Sequence, residues 1–341
     1  MGLERFFLWV ALSVSLGMAL SLPLGYAGLL NPVILLVVWA LVGIIAWRFV
    51  QGISFPVVRV PLLLVGELGF VLLLMAYTLL PGFVWPVLFD DGRVHASMIR
   101  LVAQHQGLVF PVEPFFDQMA SSIVHQYPQA YYTVGSALYF LLENAYQVHS
   151  VLEVFFALMA LAGLFLVARN AFNEVVALIA VGFAGFSGVV WLPLNLGYGP
   201  FLMGLFFLTA SVWVFQFKVP TVLRAVVIGG LVSYPPFFFV FGLYVVLRAM
   251  LVTAGDGIRS SLMAFFGACV LMAPELAGLI GAWFLNANGI VHVLAIRGET
   301  FRFVWVLMTP LLLAGPFFLA QKYWHEKTET RQNRDALLVL I

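Results

Sequence analysis

The sequence is dominated by apolar runs of about 20 residues, the length one helix needs to cross the hydrocarbon core of a bilayer. They fall at 5–22, 28–47, 60–80, 147–168, 174–192, 199–217, 260–285 and 303–321. Of the 341 residues 63% are hydrophobic and 9% charged, against about 25% charged in an ordinary soluble domain. A soluble fold would have to hide all of that apolar surface in one core, whereas a bilayer accepts each run as a helix. The expectation is an integral, multi-pass, all-α transmembrane helical bundle. The run starting at Phe6 lacks a small-x-small cleavage pattern near Leu22 and reads as a first span, not a removable signal.

Net charge is +1, which gives no footprint for nucleic acid. The single cysteine, Cys269, lies within an apolar run, excludes an intrachain disulfide and reads as a small core residue. Lys and Arg accumulate in cytoplasmic loops, and Arg48, Arg59, Arg169, Lys218, Arg224, Lys322, Lys327, Arg331 and Arg334 follow that rule when the N-terminus is cytoplasmic. The terminal Asp335-Ala-Leu-Leu-Val-Leu-Ile341 reads as the opening turns of a further span, so a truncated bundle is expected.

One region tests the orientation. Segment 221–250 has Arg224 and Arg248 near its ends and Ser233-Tyr234-Pro235-Pro236 in its middle. Pro235 removes a backbone donor and Pro236 restricts its predecessor, so a helix breaks there. A hairpin of two half-length helices keeps both arginines on the cytoplasmic side. Broken helices at membrane depth are tolerated where they are enclosed by protein or line a cavity. The hairpin is therefore a candidate wall of a site.

The long polar segment 81–146, on the outer face, carries most of the residues suited to chemistry. Val94, Met98, Leu101 and Val102 fall on one helical face, and Arg93, Ser97, Arg100 and Gln104 on another, as in a helix lying in the membrane interface. Asp90 and Asp91 open that helix, with His95 one turn beyond Asp91. Paired carboxylates there can cap the helix, orient an acceptor, bind a divalent cation or act as a base. Glu113, Asp117, His125 and Tyr127 follow in the same segment.

In order and type these residues resemble the GT-C superfamily of integral membrane glycosyltransferases, which includes protein mannosyltransferases, aminoarabinose transferases and oligosaccharyltransferases. The resemblance rests on Asp90-Asp91 after a span, Gly107 with Pro111 at a helix end, Tyr127-Pro128-Gln129-Ala130 opening another helix, and the broken hairpin Gly229-Gly230-Leu231-Val232-Ser233-Tyr234-Pro235-Pro236. It covers about Leu62 to the end. It leaves 1–59 as two additional leading helices and 60–341 as the GT-C-like region. Gln129 stands where such proteins tend to have a second proline, and Tyr234 where many have Lys or His.

The resemblance implies transfer of a sugar from a polyprenyl-phosphate carrier to an acceptor at the outer face of what would be the plasma membrane. It assigns the catalytic role to Asp90 or Asp91. Substrate contacts would come from His95, Arg93, Arg100, His125, Tyr127, Tyr234, Arg297 and Arg302, the arginines facing the donor phosphate or, alternatively, lipid headgroups. A Mg²⁺ or Mn²⁺ ion would be held by Asp91, Glu113 and Asp117. Two other classes fit the same sequence: a noncatalytic scaffold that keeps the fold, and a transporter with a broken-helix site. The transporter draws on Glu67, Glu153 and Glu275, the carboxylates lying within apolar runs.

Overall fold

A computed structural model of the chain describes residues 2–55, 60–84, 90–108, 129–217, 219–251 and 255–280. Every regular element among them is helical. In chain order these are α1 (Leu3–Tyr26), α2 (Pro32–Gln51), α3 (Leu62–Val84), α4 (Asp90–His105), α5 (Ala130–Leu142), α6 (Ala145–Ala171), α7 (Glu174–Gly185), α8 (Gly188–Leu196), α9 (Gly199–Phe215), α10 (Thr221–Gly229), α11 (Pro235–Leu251), α12 (Gly255–Leu271) and α13 (Ala273–Ile280). A 3₁₀ turn, Gly230–Ser233, joins α10 to α11.

Among the described residues α1, α2 and α6 are long and apolar enough to cross a membrane. The runs at 174–192 and 260–285 are not single helices. The first breaks at Phe186-Ser187, where the Ser187 hydroxyl donates to the Ala184 carbonyl and accepts from the Val189 N–H, ending one helix and capping the next. The second breaks at Met272, and Pro274, with no N–H to donate, sits at the second position of α13. The run at 303–321 lies outside the described residues.

Burial separates the helices into a centre and a rim. The apolar core of α6 is 72% buried, that of α2 only 22%. Val33, Val37, Leu41 and Ile44 on α2, Leu62 and Leu73 on α3, and Val175, Ile179 and Phe183 on α7 are each more than half exposed. A monomer in water rarely exposes contiguous apolar surface on this scale.

Small residues set how closely the central helices approach. A Cβ added at Gly163 of α6 would lie 2.6 Å from Phe7 Cζ and 2.8 Å from Thr209 Cβ, so α1, α6 and α9 meet at that point. Phe7 also packs edge-on against Phe206 and Trp213 of α9, with ring centroids 5.5 Å apart in both pairs. The Trp9 indole donates to the Gly43 carbonyl at 2.9 Å and ties α2 to α1.

Polar side chains gather at two ends of this bundle. At one end Arg169 lies 3.7 Å from Glu4, Asn170 donates to Gln216 at 3.1 Å, and Arg224 donates to the Phe217 carbonyl at 2.7 Å. At the other lie His95, Tyr131 and His149. His149 and Arg169 stand on one helix and are roughly 30 Å apart at 1.5 Å per residue, the thickness of a bilayer's hydrocarbon core.

The chain reverses at Tyr234, whose extended backbone (φ −144°, ψ 91°) separates the 3₁₀ turn from α11. Tyr234 packs on Phe201 near the start of α9, while Arg224 of α10 and Tyr244 of α11 both lie against Phe215 at its end. Both legs thus begin and finish on the Arg169 side. The 3₁₀ tightening turns the Gly230 N–H to the Val227 carbonyl, and the Ser15 hydroxyl of α1 donates to the Val226 carbonyl.

Gly163→Val is expected to lower stability by about 1–3 kcal/mol, since the added atoms meet side chains from two helices at once. Thermal unfolding in detergent, compared with a substitution at exposed Val33, measures it.

Candidate functional site

Helix α4 carries the side chains that face the polar end opposite Arg169. Met98, Leu101 and Val102 are buried, Val94 is half-buried, and Arg93, Arg100 and Gln104 are exposed, so its two faces are those the periodicity predicts. It is more enclosed than a helix lying on a surface, because His95, Ala96, Ile99 and Ala103 are buried too. The cause is α5, which lies alongside. A Cβ at Gly135 would lie 2.7 Å from Ile99 Cδ1, so the two helices touch closely.

One turn before Gly135, α5 presents Tyr131 and Tyr132, both fully buried. Each engages a histidine from a different helix. Tyr132 and His95 Nδ1 of α4 share a hydrogen bond of 2.9 Å; Tyr131 and His149 Nδ1 of α6 share another of 2.9 Å. The two imidazole rings are 5.8 Å apart, and His149 Nε2 lies 3.4 Å from Glu153 Oε1 one turn further along α6. These five side chains form one water-excluded polar cluster drawn from three helices.

The backbone around the cluster is as tightly specified as its side chains. Gly197, between α8 and α9, has φ +77°, and a Cβ there would lie 2.6 Å from Gly92 N and 3.5 Å from His149 Nε2. Only glycine combines that φ with that approach. Its effect is to seat the first turn of α4, which Asp90 and Asp91 open, beside His149. Gly199, two residues on, leaves room for the Tyr131 hydroxyl.

The start of α5 is fixed from far along the chain. Glu275 of α13 is buried and accepts from the Gln129 N–H at 2.5 Å, with the Ala130 N–H and the Tyr26 hydroxyl beside it. A carboxylate at a helix N-terminus complements the positive end of the helix dipole. Glu275 is thus a positioning residue for Tyr131 and Tyr132.

Of the residues singled out from sequence, the fold brings His95 into the cluster and places Asp90 and Asp91 at the start of the same helix. Arg93 and Arg100 stand on its exposed face. Tyr234 is at the reversal of the α10–α11 hairpin, half-buried against Phe201 and Phe237. Glu113, Asp117, His125, Tyr127, Arg297 and Arg302 lie outside the described residues. Tyr131, Tyr132 and His149 escape sequence reasoning, since each sits in or beside an apolar stretch and gains meaning only from its partner. Among the described residues no three His, Cys, Asp or Glu side chains converge on one point.

Burial holds the His95 imidazole well below its ordinary value of 6.5, and the nearby His149 lowers it further. The cluster therefore keeps His95 neutral. Below about pH 6.5 the unfolded chain takes up a proton that folded His95 refuses, so its contribution to stability is complete above 6.5 and is lost as pH falls toward the folded value. The wild type is expected to lose up to about 1.4 kcal/mol per pH unit from this group on acidification. His95→Gln, which cannot titrate, should flatten the profile of unfolding temperature between pH 6.5 and 5. Searches of protein-family models, curated proteins and solved structures find no match to this chain.

Proposed function

We propose that this protein is a multi-pass membrane glycosyltransferase of GT-C type that moves a sugar from a polyprenyl-phosphate carrier to an acceptor at the outer membrane face. The observation that carries the reading is the convergence at one end of the bundle. The Asp90-Asp91 start of α4 is seated through Gly92 and Gly197 beside a buried His–Tyr–Glu cluster. A membrane enzyme acting on a lipid-linked sugar needs acidic groups held rigidly at the bilayer surface, on elements that exclude water from one side.

In the proposed step the acceptor hydroxyl oxygen attacks the anomeric carbon of the donor. The bond from that carbon to the phosphate oxygen breaks, and the polyprenyl phosphate leaves with the electron pair. The acceptor's proton passes to the carboxylate of Asp90 or Asp91. Arg93 and Arg100, exposed on α4, would meet the donor phosphate, with Arg297 and Arg302 as further cations from outside the described residues. A Mg²⁺ or Mn²⁺ ion on Asp91, with Glu113 and Asp117, would neutralise the leaving group. The N-terminus would be cytoplasmic, and the Glu4–Arg169 end of the bundle would share that side.

General-base help is worth about 10²–10⁴-fold. Asp90→Asn or Asp91→Asn is therefore expected to cut release of polyprenyl phosphate from a lipid-linked donor by at least about tenfold in reconstituted protein. Folded wild type that releases none across a panel of donors and acceptors would point to a scaffold. Passage of substrate without bond cleavage would point to a transporter. The orientation has its own test. In a Cys269→Ser background, Arg5→Cys and Gln104→Cys should label from opposite sides of sealed vesicles, and labelling from one side would overturn the crossing.

A further inference from the structure

We infer that Arg5 of α1, with Arg48 and the Trp47 indole of α2, forms a site for the phosphate of an anionic phospholipid, at the end of the bundle where Glu4 meets Arg169. The two helices run antiparallel in close contact. A Cβ at Gly17 would lie 2.6 Å from the Trp39 ring, and nearer that end the Trp9 indole donates to the Gly43 carbonyl and meets the Trp47 ring edge-on at 6.3 Å. Arg5 lies four residues before Trp9 and Arg48 five after Gly43. At 1.5 Å per residue, these steps carry both arginines about 6 to 7.5 Å beyond that hydrogen bond toward the same end. They stand at one level on adjoining helices, with Trp47 next to them.

These groups are donors that the protein itself leaves unmatched. Arg5 and Arg48 are exposed, and neither makes an ion pair or a hydrogen bond among the described residues. The acid next to Arg5, Glu4, is buried and turned to Arg169 at 3.7 Å. Trp9 spends its N–H on Gly43, whereas the N–H of half-buried Trp47 has no acceptor among the described residues. Guanidinium and indole N–H groups donate and do not accept, so the set selects an anion. A zwitterionic headgroup would bring an ammonium group that two guanidiniums repel. Arginine's planar fork suits phosphate, and tryptophan sits naturally at headgroup level.

The same helix supplies a track for an acyl chain. Val33, Val37, Leu41 and Ile44, each more than half exposed, recur along α2 at steps of four, four and three, and Arg48 continues the row four residues on. Residues so spaced lie on one face of a helix. A phosphate at Arg48 therefore has exposed apolar side chains leading away from it along α2, which commits the ligand to a lipid over a free phosphate. The site lies at the opposite end of the bundle from the His–Tyr–Glu cluster and does not depend on the sugar-transfer reading.

The test titrates detergent-solubilised full-length protein with dioleoyl phosphatidylglycerol or dioleoyl phosphatidylcholine. Bound lipid is counted by native mass spectrometry, with unfolding temperature as a second readout. Phosphatidylglycerol should bind at least about tenfold more tightly than phosphatidylcholine and raise the unfolding temperature. Inorganic phosphate at the same concentration should not raise it. Arg5→Gln and Arg48→Gln should each weaken phosphatidylglycerol binding about fivefold, and Trp47→Phe, which keeps a ring and loses the N–H, should weaken it as well. The control is Arg259→Gln. Arg259 is exposed on α12 at the same end, next to the Ser260 that meets Thr221 and Arg224. Its removal takes away the same charge from another helix and should change affinity by less than about twofold. Equal affinity for the two lipids, equal stabilisation by inorganic phosphate, or a loss in Arg259→Gln as large as in Arg5→Gln would overturn the site. The last would leave only the general attraction of a basic surface.

Discussion

Helices in an apolar surrounding gain little by hiding apolar surface from one another, so their association rests on close packing and on the few polar contacts they can share. Here that requirement is met along α6. Ala157, Ala160, Ala162 and Gly163 keep its side chains short where α1 and α9 cross, and the flanking phenylalanines interlock around them. Because α6 is enclosed along most of its length, its polar residues are confined to its ends. His149 and Glu153 fall at one end and Arg169 and Asn170 at the other. The polar cluster exists where it does because this helix begins there.

The second determinant is the way short helices cover that end. α4 and α5 are too short to cross a bilayer, and their buried faces mix apolar side chains with His95, Tyr131 and Tyr132. Tyr131 and Tyr132, adjacent on α5, point to different neighbours and so link α4 to α6 through two separate histidines. Glycine at 197 and the distant carboxylate of Glu275 hold the two elements in register. The two histidine–tyrosine contacts that assemble the cluster join residues 37 and 18 positions apart.

That explains what could be read from the sequence. Helical runs announce themselves through length and hydropathy, and the break at Tyr234-Pro235 through the chemistry of proline. The two faces of α4 follow from the spacing of Val94, Met98, Leu101 and Val102. The break at Ser187 does not announce itself, because a serine within an apolar run is equally at home inside a helix, and the one at Met272 is marked only by Pro274 two residues on. Of the site, Asp90, Asp91 and His95 stood out because they are polar in a polar segment. Glu153 was visible as an ionisable group in an apolar run. His149 and the two tyrosines were not, since a histidine or tyrosine at the start of an apolar helix resembles any residue at a membrane interface.

The hydrogen bond from Ser15 to the Val226 carbonyl carries a consequence for how the chain is assembled. A 3₁₀ turn in the hairpin leaves that carbonyl without its usual partner, and the donor that replaces it belongs to a helix made 211 residues earlier in synthesis. By the time residue 226 is made, Ser15 has long been in place, so the hairpin folds against a surface that already supplies what it lacks. Chain order and hydrogen-bond supply coincide, and the irregular segment need never be exposed to lipid with an unmet acceptor.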